Sequence, residues 1–368
     1  MQNVLYFMNV DWNWIKQRPH FIAEHLQAYY NLLIVNQYRY SKKGFQNRAY
    51  GRNIYILKVV PRIDRYRWFR WINIVIKRKK IKQLINRFQP DYLYLTHPEQ
   101  YKWLPKDCHS KILYDCMDDH YGLSRNEYQK KDIVKDEFEL CKKTDILIVS
   151  SQYLKGILSR RYGNDVINKA HIVRNAFGGK IVDMPSVKKA NRNYVICYFG
   201  TISDWFDFEL IRKSLDEFDN IEYLIIGPLH RNAAIPMHSR IRYIGTVEHE
   251  KLAETIAAVD CFIMPFILDE SIKAVDPVKL YEYINFNKNV ICVRYDEIER
   301  FSDFVLFYRT YEEFSDVIKG ILEKKSLKYT QEMRMNFLMN NCWESRADMI
   351  HEILINNNLA VESENEEN

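Results

Sequence analysis

Tyr194-Val195-Ile196-Cys197-Tyr198-Phe199-Gly200-Thr201-Ile202-Ser203-Asp204-Trp205 is the stretch on which the reading of this chain turns. Its six leading apolar residues leave no polar face, as in a parallel strand covered by helices on both sides. The run stops on Gly200, where backbone without a side chain lets a diphosphate approach closely. Strand-then-glycine recurs at Ile226-Gly227-Pro228 and Ile244-Gly245-Thr246-Val247. One such glycine reads as a turn, but three in one sheet predict a concave binding site. Further strands are expected at Tyr223–Ile226, Arg242–Ile244, Cys261–Met264 and Val290–Val293, with an edge strand at Asp303–Tyr308. Helices are expected near Phe206–Glu217, Lys251–Val259 and Pro277–Phe286.

The same alternation fills the first half, with strands near Val4–Met8, Leu32–Val35, Ile54–Val59, Tyr92–Leu95, Ile112–Asp115 and Ile146–Val149. At 368 residues the chain exceeds what one core usually organises. The reading is therefore α/β with two Rossmann-like, doubly wound domains facing a central cleft at the carboxyl ends of their strands. The expected boundaries are 1–178 for the first domain and 179–342 for the second, with a polar linker at Gly178–Asn193. A helix over 343–360 crosses back to the N-terminal domain, and 361–368, with four Glu, is an acidic disordered tail.

Seven scattered cysteines include no CxxC pair, which fits neither a disulfide framework nor a zinc site. The N-terminus lacks the basic start of a signal peptide, and no apolar run reaches the roughly 18 residues of a membrane span. These features point to a reducing, cytoplasmic setting. Net charge is +6, yet Arg62 to Arg87 alone holds ten Arg or Lys against one Asp. Residues 65–88 combine that charge with Trp68, Trp71, Ile72, Val75, Ile76, Leu84 and Ile85 at helical spacing. Such a helix suits peripheral contact with an anionic membrane, although a core-facing helix with a solvated basic edge has the same pattern. Nucleic acid is not expected as a partner, because no recognition motif accompanies the charge.

Asp276-Pro277-Val278-Lys279-Leu280-Tyr281-Glu282-Tyr283 reads as a helix start, with Asp as cap and Pro at the first position. Its free N–H groups and dipole favour a phosphate, with Lys279 adding a full charge. Glu282, on the same face one turn on, is placed to accept from ribose hydroxyls. An ordinary capped amphipathic helix is the alternative.

Taken together, Tyr198-Phe-Gly-Thr-Ile-Ser-Asp-Trp, Gly227-Pro, Tyr243-Ile-Gly-Thr-Val, Asp260-Cys-Phe-Ile-Met-Pro-Phe and the Asp276 segment resemble the GT-B glycosyltransferases of the family 4 type. Gln17-Arg-Pro-His20, Tyr114-Asp-Cys-Met-Asp-Asp119 and Val149-Ser-Ser-Gln-Tyr-Leu154 resemble that group's first domain, closest to bacterial polysaccharide and teichuronic acid enzymes. The resemblance implies a hexosyl transfer from a UDP- or GDP-sugar to a glycan or lipid-linked acceptor in cell-surface polysaccharide or capsule synthesis, at the inner face of the membrane. It implies that the loop after Gly200 faces the donor diphosphate; Gly200, Thr201, Gly227, Asp276, Pro277, Val278 and Lys279 are the donor-binding candidates. Backbone near Thr246 and Val247 meets the base, and Glu282 the ribose. Ala274 stands where many relatives have a Glu, which shifts the donor-sugar contact to Asp276 or Lys273. Asn175-Ala176-Phe177 replaces the usual Asn-Gly-Val-Asp.

Asp11, Trp14, Arg18, His20 and His97 follow strands of the first domain and are the expected acceptor side. Arg18 either clamps a phosphate or pairs with a neighbouring carboxylate. Asp118 and Asp119, beside Asp115, are the candidate catalytic carboxylates, a general base if the enzyme inverts and acceptor-orienting groups if it retains. A cap or Asx turn is the plainer reading. The resemblance favours retention. No DxD triplet occurs, so no metal cofactor is expected at the diphosphate. A sugar-nucleotide 2-epimerase, or a non-catalytic membrane-associated homologue, is the alternative.

Overall fold

Leu5, Leu93, Leu113 and Ile148 are fully buried, and such continuous apolar strands can pair only inside a covered sheet. Each buried Leu, Ile or Val contributes roughly 1.5–3 kcal/mol of transfer free energy, which fixes the strand as core. The computed structural model describes residues 1–13, 16–37, 53–60, 69–124, 126–182, 193–230, 233–324 and 326–366, with 249–250 and 358–366 as backbone alone. Trp14 and residues 65–68 of the expected basic helix lie outside the described residues.

The chain divides into two units, Met1–Asn175 with Trp343–Asn368, and Ala176–Cys342. In chain order the first contains β1 (Asn3–Phe7), α1 (Arg18–Leu26), β2 (Asn31–Gln37), β3 (Ile54–Leu57), α2 (Arg70–Phe88) and β4 (Tyr92–Leu95). A 3-10 helix at Pro98–Trp103 precedes β5 (Lys111–Cys116), α3 (His120–Leu123), α4 (Glu127–Lys143), β6 (Ile146–Val149), α5 (Gln152–Tyr162), α6 (Asn164–Ile167) and β7 (Ala170–Ile172). The strands are all parallel, in the order β3-β2-β1-β4-β5-β6-β7. β7 was not expected, because three residues containing Ala and His carry no strand signal of their own.

The second unit contains β8 (Tyr194–Phe199), α7 (Phe208–Glu217), β9 (Ile221–Ile226), β10 (Ile241–Tyr243), α8 (His249–Thr255), β11 (Cys261–Met264) and α9 (Glu270–Lys273). It continues with α10 (Val278–Asn285), β12 (Asn289–Val293), β13 (Val305–Tyr308), α11 (Tyr311–Lys324) and α12 (Gln331–Asn340). Its order, β10-β9-β8-β11-β12-β13, again all parallel, is that of a doubly wound dinucleotide fold. In each unit the strand order reverses beside the first strand, at β1/β4 and at β8/β11. Loops leaving the carboxyl ends of these strands are the ligand-binding position of such sheets.

The last helix, α13 (Trp343–Glu366), belongs to the first unit. Trp343 stacks on Phe21 of α1 with ring centroids 5.2 Å apart, and the Tyr30 hydroxyl meets His351 Nδ1 at 2.8 Å. The helix backbone runs through 361–366. Nothing from Trp343 onward is a Gly or Pro that would stop it.

Candidate functional site

In the second unit, the ends of β8, β9 and β10 meet through glycine. The Gly200 amide donates to the Ile226 carbonyl at 2.9 Å, and the Gly227 amide to the Gly245 carbonyl at 2.8 Å. Tyr243 Oη donates to the Gly227 carbonyl at 2.9 Å. A Cβ on Gly227, which has φ +137°, would stand 1.9 Å from the Gly200 carbonyl oxygen. No side chain fits this crossing, and past it the chains pair again at Ile202 and Leu229. At Gly200, φ +153°, a Cβ would stand 2.9 Å from Tyr198 Oη and 3.2 Å from Lys279 Cε, so these side-chain ends would have to shift.

Lys279 therefore lies over the loop after β8. Its helix, α10, is pinned there by Tyr283, whose hydroxyl donates to the Phe199 carbonyl at 3.0 Å and stacks ring on ring against Phe262. Lys279 Nζ sits 5.1 Å above the Phe199 ring and 2.8 Å from Glu282 Oε2. Lys279 and Glu282 are thus brought together as a half-buried ion pair.

The reading of Asp276 as helix cap is corrected. Pro277, not Asp276, is the N-cap of α10, and a proline side chain makes no cap hydrogen bond. The Asp276 carboxylate is buried and paired with Arg300, whose Nη2 also donates to Tyr281 Oη at 2.9 Å. Burial without another charge would be costly, so the carboxylate pairs with the guanidinium. Lys273, the other candidate for the donor-sugar contact, pairs with Glu270 at 3.2 Å. Thr201 and Thr246 are exposed beside their glycines, while Val247 packs partly on the core. Arg300 was missed, because nothing in sequence links it to a residue 24 positions earlier.

In the first unit, Arg18 takes the carboxylate-pairing alternative. Its Nη2 and Nε reach Asp115 at 2.9 to 3.2 Å, its Nη1 reaches Asn175 Oδ1 at 3.3 Å, and Tyr94 Oη donates to Asp115 at 2.9 Å. Both charges are buried; burial opposes ionisation of Arg18, and the adjacent carboxylate outweighs it, so the guanidinium stays charged. His20 Nδ1 faces the Gln17 amide at 3.2 Å and must accept, so Nε2–H donates to the Asp11 carbonyl at 3.1 Å. Burial lowers the His20 pKa and keeps that neutral tautomer. Asp11 Oδ1 accepts from the Asn13 amide at 2.8 Å, an Asx turn that shapes the loop after β1.

The two candidate carboxylates differ. Asp119 is buried in a two-point pair with Arg161, at 2.8 and 3.1 Å, and is committed to it. Asp118 is exposed. Surrounding protein raises its pKa, with Asp115 and Asp119 adding and Arg18 opposing, but its access to water argues against a large rise. Of the two, Asp118 is the carboxylate that reaches solvent.

His97 caps the 3-10 helix, Nδ1 accepting from the Glu99 amide at 3.2 Å. It lines a cavity of about 450 Å³ with Arg70, Trp71, Glu99, Lys102 and Asp132. Trp71 is 61% exposed there, and Arg70 pairs with Asp132 at 3.3 Å. Along α2, Trp71, Val75, Arg78, Lys79 and Lys82 form an exposed stripe, whereas Lys77 is buried over the Trp103 ring. Among the described residues, no helix is long and apolar enough to cross a membrane. One trio of metal-ligating side chains, Cys116, His120 and Glu137, comes together in this unit. Burial holds the His120 imidazole down at about 4.

No family model matches the chain. A curated relative, TuaH of Bacillus subtilis (strain 168), named as a putative teichuronic acid biosynthesis glycosyltransferase, is 22% identical over 313 residues, 75% of this chain and 76% of the relative. Among solved structures, sucrose-phosphate synthase from Thermosynechococcus elongatus superposes with TM-score 0.69 at 11% identity, covering 98% of this chain and 100% of that one. The chain has the GT-B glycosyltransferase fold. Anabaena HepE, solved in complex with UDP and glucose, shares this GT-B architecture at TM-score 0.63 and 10% identity, over 97% of this chain and 100% of HepE. In this GT-B chain the glycine crossing and α10 both belong to the second unit.

Proposed function

We propose that the chain is a glycosyltransferase that takes a sugar from a nucleotide donor held by its second unit. The observation that carries this is the convergence of Gly200, Gly227 and Lys279, in the first turn of α10. Side-chain-free backbone, a helix N-terminus and a lysine are the groups that receive a diphosphate and stabilise the charge it gains on leaving. On binding, Lys279 exchanges Glu282 for phosphate oxygen, and Glu282 is released to accept from the ribose hydroxyls. Complexes of HepE with UDP and with UDP-glucose support a UDP-sugar as donor.

The acceptor is a glycan or lipid-linked glycan of bacterial surface polysaccharide, a reading that the name of TuaH supports. Asp118 orients the attacking hydroxyl, and the cavity at His97 and Trp71 receives an acceptor sugar, with the ring on the indole and hydroxyls on Glu99 and Asp132. The exposed stripe of α2 docks the unit on an anionic bilayer at the cytoplasmic face. Transfer proceeds with retention, the leaving diphosphate taking the acceptor proton, and requires no divalent metal at the diphosphate.

Melting curves against UDP- and GDP-sugars, followed by turnover with and without lipid-linked acceptor, test this reading. A rise in melting temperature with one nucleotide sugar and acceptor-dependent release of nucleoside diphosphate are expected. No shift with any donor, or conversion of the donor sugar without acceptor, contradicts it.

A further inference from the structure

Cys116 ends β5, His120 opens α3 and Glu137 lies in α4, so three separate elements deliver three different ligating atoms to one buried point. We propose that Cys116, His120 and Glu137 hold a zinc ion that ties the loop bearing Asp118 and Asp119 to α4. Their ligand atoms all lie within 4.8 Å of one another. Cys116 Sγ stands 3.5 Å from Glu137 Oε1, close to the about 3.6 Å separating sulfur and oxygen on a tetrahedral ion with bonds of ~2.3 and ~2.1 Å. A bare thiol–carboxylate hydrogen bond accounts for that one distance. It does not account for His120, whose Nε2 is buried with no hydrogen-bond partner among the described residues.

Glu137 is already aimed. Tyr114 Oη donates to its Oε1 at 2.6 Å and Tyr162 Oη to its Oε2 at 2.7 Å, with Arg161 Nη1 3.7 Å from Oε2, so the position on Oε1 that now accepts from Cys116 Sγ is the one a metal would take. Hydroxyls of this kind are the outer partners that orient ligating carboxylates. One sulfur, one nitrogen and one oxygen form a borderline set that suits Zn²⁺ better than Mg²⁺ or Ca²⁺. Thiolate and carboxylate together neutralise the dication, and three protein ligands leave one position for water. On binding, the Cys116 S–H bond breaks, the S–Zn bond forms, and the proton passes to solvent.

Co²⁺ titrated into metal-free full-length protein reports thiolate ligation directly. One equivalent is expected to produce a thiolate-to-cobalt charge-transfer band with the visible absorption of a four-coordinate ion, and Zn²⁺ to abolish both. The signal should persist in Cys108→Ala/Cys342→Ala, which removes the two less buried thiols, and vanish in Cys116→Ser and in His120→Gln. Tyr162→Phe should weaken binding roughly 10- to 100-fold. Zn²⁺ should raise the melting temperature of the wild type, with about one proton released per ion. Absence of a thiolate band in the wild type overturns the proposal whatever the variants do, and so does a band that survives both ligand substitutions. If Cys116→Ser does not fold, His120→Gln alone decides the second point.

Discussion

Gly227→Ala isolates the crossing on which the donor site is built. At φ +137° an L-residue meets a backbone cost of about 1–2 kcal/mol. The new methyl would stand 1.9 Å from the Gly200 carbonyl oxygen, a backbone atom that cannot swing aside. The ends of β8 and β9 must part, and overpacking of this kind costs about 1–3 kcal/mol more. Together the loss is about 2–5 kcal/mol, or roughly 5–15 °C in the melting temperature of a unit this size. Two sister variants separate the causes. Gly245→Ala has φ +72° but no atom within 4 Å, so only the backbone cost of about 1–2 kcal/mol applies. Gly320→Ala, inside α11 with nothing near its Cβ, should stabilise by about 0.4–1 kcal/mol. Melting curves for the three, with nucleotide affinity by calorimetry, form the assay. Because Gly227→Ala moves Gly200, it should also weaken nucleotide binding by about tenfold or more, or ~1.4 kcal/mol. A Gly227→Ala protein as stable as Gly245→Ala, binding nucleotide like the wild type, would refute the reasoning.

Lys279→Ala should cut turnover by about 10²- to 10³-fold, the loss typical of one electrostatic donor to a developing oxyanion, while the melting curve barely moves because its pair with Glu282 is half-exposed. Asp115→Asn strips the partner from buried Arg18 and should destabilise by about 3–5 kcal/mol in urea unfolding. His20 has a folded pKa below its ordinary 6.5, so the unfolded chain binds the extra proton and stability falls as pH drops below that value; His20→Gln should flatten this slope in melts recorded from neutral to acid. Arg78, Lys79 and Lys82→Gln together should weaken sedimentation with phosphatidylserine vesicles by about 1 kcal/mol per charge.

What could be read in the sequence followed from short-range pattern. The strands from Tyr92 to Leu95 and from Ile146 to Val149 were visible because burial on both faces demands unbroken apolar runs. Gly200 and Gly227 stood out because they interrupt such runs at strand ends. What stayed hidden depends on partners far along the chain. Asp276 looks like a cap until Arg300 takes its carboxylate, and Asp118 and Asp119 look equivalent until Arg161, 42 residues on, claims one of them. Arg18 is joined to Asp115 across 97 residues, and β5 is what brings that carboxylate there. The Cys116, His120 and Glu137 grouping has no motif spacing, since Glu137 arrives only by the packing of α4 against β5.

A crystal structure with bound nucleoside diphosphate tests the account most directly. The account predicts the two phosphates against the amides of Val278 and Lys279 and the Gly200 backbone, with Lys279 turned from Glu282 toward them. Phosphates seated elsewhere in the second unit, with the Lys279–Glu282 pair still closed, would contradict it.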